Sequence, residues 1–166
     1  MEYTHLTHTF EPVYDENSRI LILGSFPSVK SRQNRFYYGH PQNRFWKVLA
    51  AVFESPVPDT IEEKKEFLLR NHVAVWDVIF SCDIAGSSDS SIRNVTGNDM
   101  NVILSVAPIR RIFANGDKAY KLFLKYCRQE GQPEVEKLPS TSPANAAWNM
   151  QRLTESWRRV GEVSRS

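Results

Sequence analysis

Ile20-Leu21-Ile22-Leu23 is a continuous apolar run that stops at Gly24. A run with no polar face suits a strand buried on both sides, and such strands belong to parallel sheets covered by helices. The following segments fit that frame. Phe45, Trp46, Leu49, Val52 and Phe53 recur at helical spacing, and Thr60-Ile61-Glu62-Glu63 has the capping-box pattern for a second helix through about Arg70. Residues 73–80 read as a second strand, and Asn98 can cap a helix that ends before Pro108. Residues 111–114 read as a third strand, and Asp117 opens a helix that buries Ala119, Leu122, Phe123 and Tyr126. Residues 135–138 alternate apolar and charged side chains, as at a sheet edge. Ser142 and Pro143 make an N-cap and first-turn pair for a last helix using Ala147, Met150, Leu153 and Trp157. Strands alternating with helices predict an α/β fold with a parallel sheet covered on both faces.

The chain of 166 residues is 41% hydrophobic and 24% charged, the composition of one globular domain. The reading is a domain over 17–160, an extension over 1–16 and a frayed end at 161–166. The formal net charge of +2 is too small to announce a polyanion partner, but it is an average. Between Asn17 and Phe53 there is no Asp or Glu, while Arg19, Lys30, Arg32, Arg35, Arg44 and Lys47 give six positive charges. The remainder holds 15 basic and 19 acidic residues, a balance of −4. Two distant cysteines, Cys82 and Cys127, exclude a four-cysteine cluster or an all-cysteine zinc site. The polar segment 1–16 has neither a signal-peptide core nor a membrane span, so the expected setting is cytoplasmic and reducing.

In a parallel sheet, binding residues gather where strands end and helices begin. Four segments hold that position: 24–43, 76–91, 114–118 and 139–145. The first joins the acid-free basic stretch to Phe36, Tyr37 and Tyr38 on a loop, a combination that suits backbone electrostatics with base stacking. Tyr37 and Tyr38 taken singly read better as core cover, and it is their combination with the charge asymmetry that favours nucleic acid. The last segment sets Ser140, Thr141 and Ser142 at an expected helix N-terminus, where hydroxyls and free N–H groups suit a DNA backbone. Neither a Walker lysine loop nor a GxGxxG is present, so free-nucleotide binding by those devices is unsupported. Ser87, Ser88, Asp89 and Ser91 form a polar loop at the same sheet edge, with room for a DNA-facing role.

Gly24-Ser25-Phe26-Pro27 is similar to the first motif of the uracil-DNA glycosylase superfamily. Tyr38 through His40-Pro41-Gln42-Asn43-Arg44-Phe45-Trp46 resembles its mismatch-specific members nearly residue for residue. Leu138-Pro139-Ser140-Thr141-Ser142-Pro143-Ala144-Asn145 resembles the second, DNA-intercalating motif in the form typical of the hypoxanthine-DNA (deoxyinosine) branch. The resemblance implies a three-layer α/β/α sandwich with a central four-stranded parallel sheet. It also implies a monofunctional glycosylase that flips a deaminated base, most readily hypoxanthine, out of DNA for base-excision repair, with no metal or cofactor. Its partner would be double- or single-stranded DNA carrying such a base, engaged by a monomer with no membrane role. DNA contacts would fall on Ser25 and on Ser140, Thr141, Ser142, Pro143, Ala144 and Asn145, the last three filling the vacated stack.

The chain departs from that pattern at Phe26, where uracil-removing relatives place an Asn or Asp to orient water, and at Pro139-Ser140, which offers no His. The departures weigh against efficient uracil excision. Asn43 is the leading candidate to orient water or substrate, and His40 the second. Asn43 also suits an N-cap, and His40 a hydrogen-bonded loop residue. Tyr38 or Phe26 would stack on the flipped base. Asp77 stands where the superfamily's base-reading side chain is an Asn. An ionised Asp77 would accept from the N1–H of hypoxanthine and meet only an acceptor at N1 of adenine, although a turn-capping Asp fits the same place. The other readings are a uracil or mismatch-specific glycosylase, a non-catalytic lesion-binding DNA module, and an enzyme of free nucleosides.

Overall fold

A computed structural model describes residues 2–86 and 89–166, so Ser87 and Ser88 of the polar loop lie outside the described residues. In chain order the elements are β1 (Thr4–Thr7), β2 (Ile20–Gly24), α1 (Val29–Asn34), α2 (Phe45–Val52), α3 (Ile61–Arg70), β3 (Val73–Asp77) and β4 (Ile79–Ile84). They continue with β5 (Arg93–Gly97), α4 (Asn101–Leu104), β6 (Arg111–Asn115), α5 (Asp117–Tyr126), β7 (Val135–Leu138) and α6 (Met150–Arg165). Four strands form a parallel sheet in the order β3-β2-β6-β7. Helices flank it, as the strand–helix alternation predicts.

Burial explains why β2 is central. Ile20, Leu21, Ile22 and Leu23 have no exposed surface, and β3 and β6 pair with the strand on its two edges. Each such side chain contributes about 1.5–3 kcal/mol by leaving water. β7 is the edge strand its alternation predicts, with Glu136 held by Arg111 and Arg159. The α3 cap forms with one shift: Thr60 accepts from the Glu63 N–H at 3.1 Å, while the Glu63 carboxylate returns to the N–H of Asp59, the residue before the cap, at 3.2 Å. α2 packs on α6, with Phe45 edge-on to Trp157 at 5.9 Å.

Five expectations need correction. Of the residues expected to be buried on α5, only Ala119 and Phe123 are; Leu122 is half-buried and Tyr126 exposed. The apolar run 73–80 is two strands in two sheets. At Val78 the chain leaves the parallel sheet, and β4 pairs antiparallel with β1 and β5. The apolar pattern runs on because Val78, Ile79 and Cys82 are also fully buried, so hydropathy carries no mark of the change of partner. Asn98 caps nothing: α4 is a single turn, and the buried Asn98 amide donates to the Asp77 carbonyl at 2.8 Å.

The last helix starts at Met150, capped by Asn149, rather than after Ser142. The Arg44 guanidinium explains the delay. It binds the carbonyls of Ser142, Asn145 and Trp148, which a helix over this stretch would need for itself. The ends of the chain are also structured. β1 and a bridge from Val13 to Val75 join residues 4–13 to both sheets, and α6 stays helical through Arg165 with Ser164 buried on the Asn71 carbonyl.

Candidate active site

The carboxyl ends of β2, β3 and β6 and the loop after β7 surround a cavity of about 410 Å³. This is within the roughly 300–1,000 Å³ usual for ligand pockets. Ser25, Phe26, Tyr38, His40, Asn43, Asp77, Ser140, Thr141 and Ser142 all line it, so residues from both sequence motifs meet in one place. Pro143, Ala144 and Asn145 lie beyond the lining, on the adjoining loop.

One wall is built of neutral amides. Asn43 Oδ1 accepts from the Phe45 N–H at 3.0 Å and from the Thr141 hydroxyl at 2.8 Å. Thr141 is in turn gripped by Asn115, whose Oδ1 accepts the Thr141 N–H at 3.0 Å and whose Nδ2 donates to the Thr141 hydroxyl oxygen at 3.0 Å. Backbone N–H groups can only donate, so they fix which end of each amide is oxygen. Both lone pairs of Asn43 Oδ1 are thereby occupied, and its Nδ2 has no partner among the described residues. Asn43 therefore does part of a cap's work at the start of α2 while keeping its N–H donors for the cavity.

A second part of the lining carries charge. The Asp77 side chain is 5% exposed, and its Oδ2 lies 2.9 Å from Nε2 of His8, which is 2% exposed. No hydrogen bond to Oδ1 occurs among the described residues. Gly24 lies against it: a Cβ there would fall 2.5 Å from Asp77 Oδ1 and 3.1 Å from the Tyr38 hydroxyl. Only glycine leaves room for this approach.

Tyr38 has a left-handed backbone, φ 51°, uncommon for an aromatic residue. Its ring stacks on Phe45 at 3.8 Å, so only its other face and its edge remain for the cavity. Burial first, and the Asp77 charge second, push the Tyr38 phenol far above its ordinary value. The Asn115 amide opposes part of that shift without a hydrogen bond of acceptable geometry to the hydroxyl. Tyr38 stays neutral at any working pH. Phe26 is half-buried, with His8 at its edge (6.2 Å) and the Arg32 guanidinium 5.7 Å from its ring centre.

The rim refines the remaining expectations. His40 is exposed at the cavity mouth, and its Nδ1 accepts the Gln42 N–H at 3.1 Å, the loop arrangement that its place before Pro41 suggests. Thr141 has no exposed surface, so its hydroxyl serves Asn43 and not a phosphate. Ser140 and Ser142 accept the N–H groups of Ser142 and Ala144, which leaves their hydroxyl protons for an outside acceptor. The Asn145 amide donates to the Ser140 carbonyl, closing the loop with Pro143 and Ala144 exposed at its tip. Of the six cations, Lys30 and Arg32 line the cavity and Lys118 joins them from α5. Arg44 is the internal clamp on 142–148, and Arg19 sits at the other end of β2, bound to the Ser164 carbonyl.

Residues 11–161 match the family model described as the uracil DNA glycosylase superfamily, and the chain belongs to that superfamily. A protein of Methanosarcina acetivorans named hypoxanthine DNA glycosylase is 37% identical over 153 residues, 91% of this chain and 95% of that one. A protein of the same name from Methanosarcina barkeri is 35% identical over 112 residues, 66% of this chain and 71% of its own. The solution NMR structure of a candidate uracil DNA glycosylase from Methanosarcina acetivorans superposes with a TM-score of 0.77 at 34% identity, covering 95% of this chain and 97% of that one. Among the described residues, no helix is long and apolar enough to cross a membrane.

Reading the sequence missed two residues at this site. Asn115 falls inside the strand-end segment 114–118, yet nothing beyond that position marks it. His8 lies in the segment read as an extension, and its only signal is the alternating stretch Thr4-His5-Leu6-Thr7 before it.

Proposed function

We propose that this chain is a monofunctional DNA glycosylase of base-excision repair that hydrolyses the N-glycosidic bond of a flipped deaminated base, with hypoxanthine its first substrate. The observation that carries the reading is that one cavity holds both polarities: Asn43 offers donors and Asp77 Oδ1 an acceptor. Hypoxanthine presents an N1–H donor and an O6 acceptor, and both relatives bear its name. Adenine has no proton at N1, so its approach to Asp77 sets two acceptors face to face. Uracil also carries a ring N–H, so Asp77 does not by itself reject it.

Extrusion costs a few kcal/mol and is least at an unstable pair, which favours deaminated bases over correctly paired ones. Lys30, Arg32, Ser140 and Ser142 suit the phosphates beside the flipped nucleotide, and Pro143 and Ala144 the gap in the stack. Phe26 or the free face of Tyr38 stacks on the base. A water oxygen then bonds to C1′ as the C1′–N9 bond breaks. The base leaves with the bonding electrons and is protonated, and the water gives up a proton. With both Oδ1 lone pairs engaged, Asn43 acts as a donor, through Nδ2–H, toward an acceptor of the departing base, where negative charge grows. In this reading the enzyme works as a monomer in the cytoplasm.

The test is release of hypoxanthine from a deoxyinosine duplex under single-turnover conditions with a chelator present, alongside uracil, xanthine and oxanine substrates. Asn43→Ala is expected to lower the rate by about 10²–10³-fold, the usual cost of removing one such donor, with DNA affinity retained. An unchanged rate removes Asn43 from the chemistry. Binding to lesion DNA without base release from any substrate would leave a non-catalytic module, and equal activity on free deoxyinosine would leave a nucleosidase.

A further inference from the structure

The residue that orients Asp77 comes from outside the family match. His8 follows β1 and precedes residues 11–161, which match the superfamily. Its backbone N–H donates to the Phe80 carbonyl at 2.7 Å, which carries the hydrogen bonding of β1 one residue further along β4. Its ring then turns inward among aromatic groups: Phe10 at 4.5 Å, Tyr37 at 6.0 Å and Phe26 at 6.2 Å between ring centres. Phe10 and Tyr37 also meet edge to face at 4.7 Å, and the Tyr37 hydroxyl donates to the Glu11 carbonyl at 2.9 Å. The imidazole is thus boxed in, with Nε2 aimed at Asp77 Oδ2.

An ionised carboxylate accepts and cannot donate, so the 2.9 Å contact requires a proton on His8 Nε2. With Oδ2 held in this way, Oδ1 is the oxygen left to face the cavity. A carboxylate without that anchor turns freely about its Cβ–Cγ bond and leaves a buried oxygen unpaired.

We propose that His8 is a specificity-determining positioning residue: by donating Nε2–H to Asp77 Oδ2 it presents Oδ1 as a fixed acceptor for a ring N–H of the flipped base. The inference rests on the reading of Asp77 as the group that meets the base. It gives the amino-terminal segment a part in substrate choice, and it explains why a polar side chain stands in an aromatic box where a phenylalanine would pack. His8 touches neither the sugar nor the bond that breaks, so its effect runs wholly through Asp77.

The experiment compares His8→Phe, which keeps a ring in the box but loses the donor, with His8→Gln, which keeps an N–H donor. Single-turnover release is measured on deoxyinosine duplex and on undamaged duplex containing adenine, with DNA affinity and melting temperature followed in parallel. His8→Phe is expected to narrow the preference for hypoxanthine over adenine by about tenfold, because the site's acceptor is no longer fixed. DNA affinity should change less than twofold, and His8→Gln should recover most of the preference. In an Asp77→Asn background His8→Phe should do nothing further.

Equal losses in both His8 variants, or losses that add to those of Asp77→Asn, would overturn the proposal by showing a packing role alone. A readout on the unmodified protein guards against variants that fail to fold: the Hε2 proton of His8 should give a slowly exchanging NMR signal that shifts when deoxyinosine DNA binds. Its absence, or its indifference to the DNA, also overturns the proposal. The two readings fail separately. Base preference that ignores Asp77→Asn removes Asp77 as the reader, whereas preference that responds to Asp77→Asn but not to His8→Phe removes His8.

Discussion

The two walls of the cavity solve the same problem by different means. On one side Asn43 is held by neutral groups, the Phe45 N–H at the start of α2 and the Thr141 hydroxyl, which Asn115 in turn holds from the end of β6. On the other, Asp77 is held by His8, 69 residues away in sequence, through an ionisable contact in an aromatic enclosure. The first wall presents fixed donors and the second a fixed acceptor. A cavity with both polarities distinguishes bases by where their protons are, which is what deamination of adenine changes. The neutral wall is anchored to backbone N–H groups and is hard to turn. The charged wall depends on one side chain and is the easier to disturb.

After loss of the Asn43 amide itself, the largest effect expected from disturbing one wall is Gly24→Ala. The new methyl group would stand 2.5 Å from Asp77 Oδ1, closer than side chains tolerate, and the carboxylate must move. Base release from deoxyinosine DNA should fall about 100-fold, a loss typical of a misplaced positioning group. Because β2 is buried, the protein should also melt earlier, so DNA affinity measured below the melting temperature separates the two causes. A rate within twofold of the parent would show that Oδ1 need not occupy its present place.

The corresponding break in the neutral wall is Thr141→Val, which keeps the shape and removes the hydroxyl. It leaves an Asn43 lone pair and an Asn115 N–H unpaired in a buried place, at about 1–3 kcal/mol each. The rate should drop about tenfold as Asn43 loses one of its two anchors, with Thr141→Ser restoring most of it. If Thr141→Val lowers stability and leaves the rate alone, the Phe45 N–H suffices to hold Asn43.

The same contrast decides what was legible from the chain alone. β2, the capped start of α3, the edge strand β7 and the Asn43 motif are local: a run, a spacing or a pair of residues carries each, and each is where the pattern puts it. The His8–Asp77 contact joins a polar segment to a strand end through tertiary packing, and no spacing encodes it. β5 is equally silent, because Arg93-Asn94-Val95-Thr96-Gly97 is polar and mostly exposed, and pairing with β4 rather than burial makes it a strand. The basic stretch was legible as composition but not as geometry. Arg44 reads as a DNA-facing cation and is the clamp that keeps 142–148 out of a helix.

Arg44→Met tests that clamp and lies on the neutral wall's side, since the Arg44 N–H also binds the Thr141 carbonyl at 3.1 Å. Removing the charge-assisted bonds to three carbonyls should destabilise the fold by about 3 kcal/mol, and chemical denaturation would show it. The rate should fall only a fewfold, because Asn115 and Asn43 still hold Thr141. A stable variant with a collapsed rate would shift the weight of that wall from Asn115 to Arg44.

The smallest effect concerns the two buried phenols of the cavity lining and is absent at working pH. Burial, with Asp77's charge second, raises both Tyr37 and Tyr38 well above the ordinary value of 10.0. A raised value in the folded state means that the stability is fully present below pH 10. Above it the unfolded chain sheds protons that the native chain keeps, and stability falls. The slope is about 1.4 kcal/mol per pH unit for each phenol, hence roughly twice that for the pair. Melting temperature should therefore be flat near neutrality and decline above pH 10, with the tyrosinate absorbance of these two residues appearing only as the protein unfolds. Tyr38→Phe keeps the ring stacked on Phe45 and should halve the slope while leaving base release at pH 8 nearly unchanged. A large loss of activity in that variant would mean that the Tyr38 hydroxyl itself takes part beside Asp77, and the charged wall would then have two members facing the base instead of one.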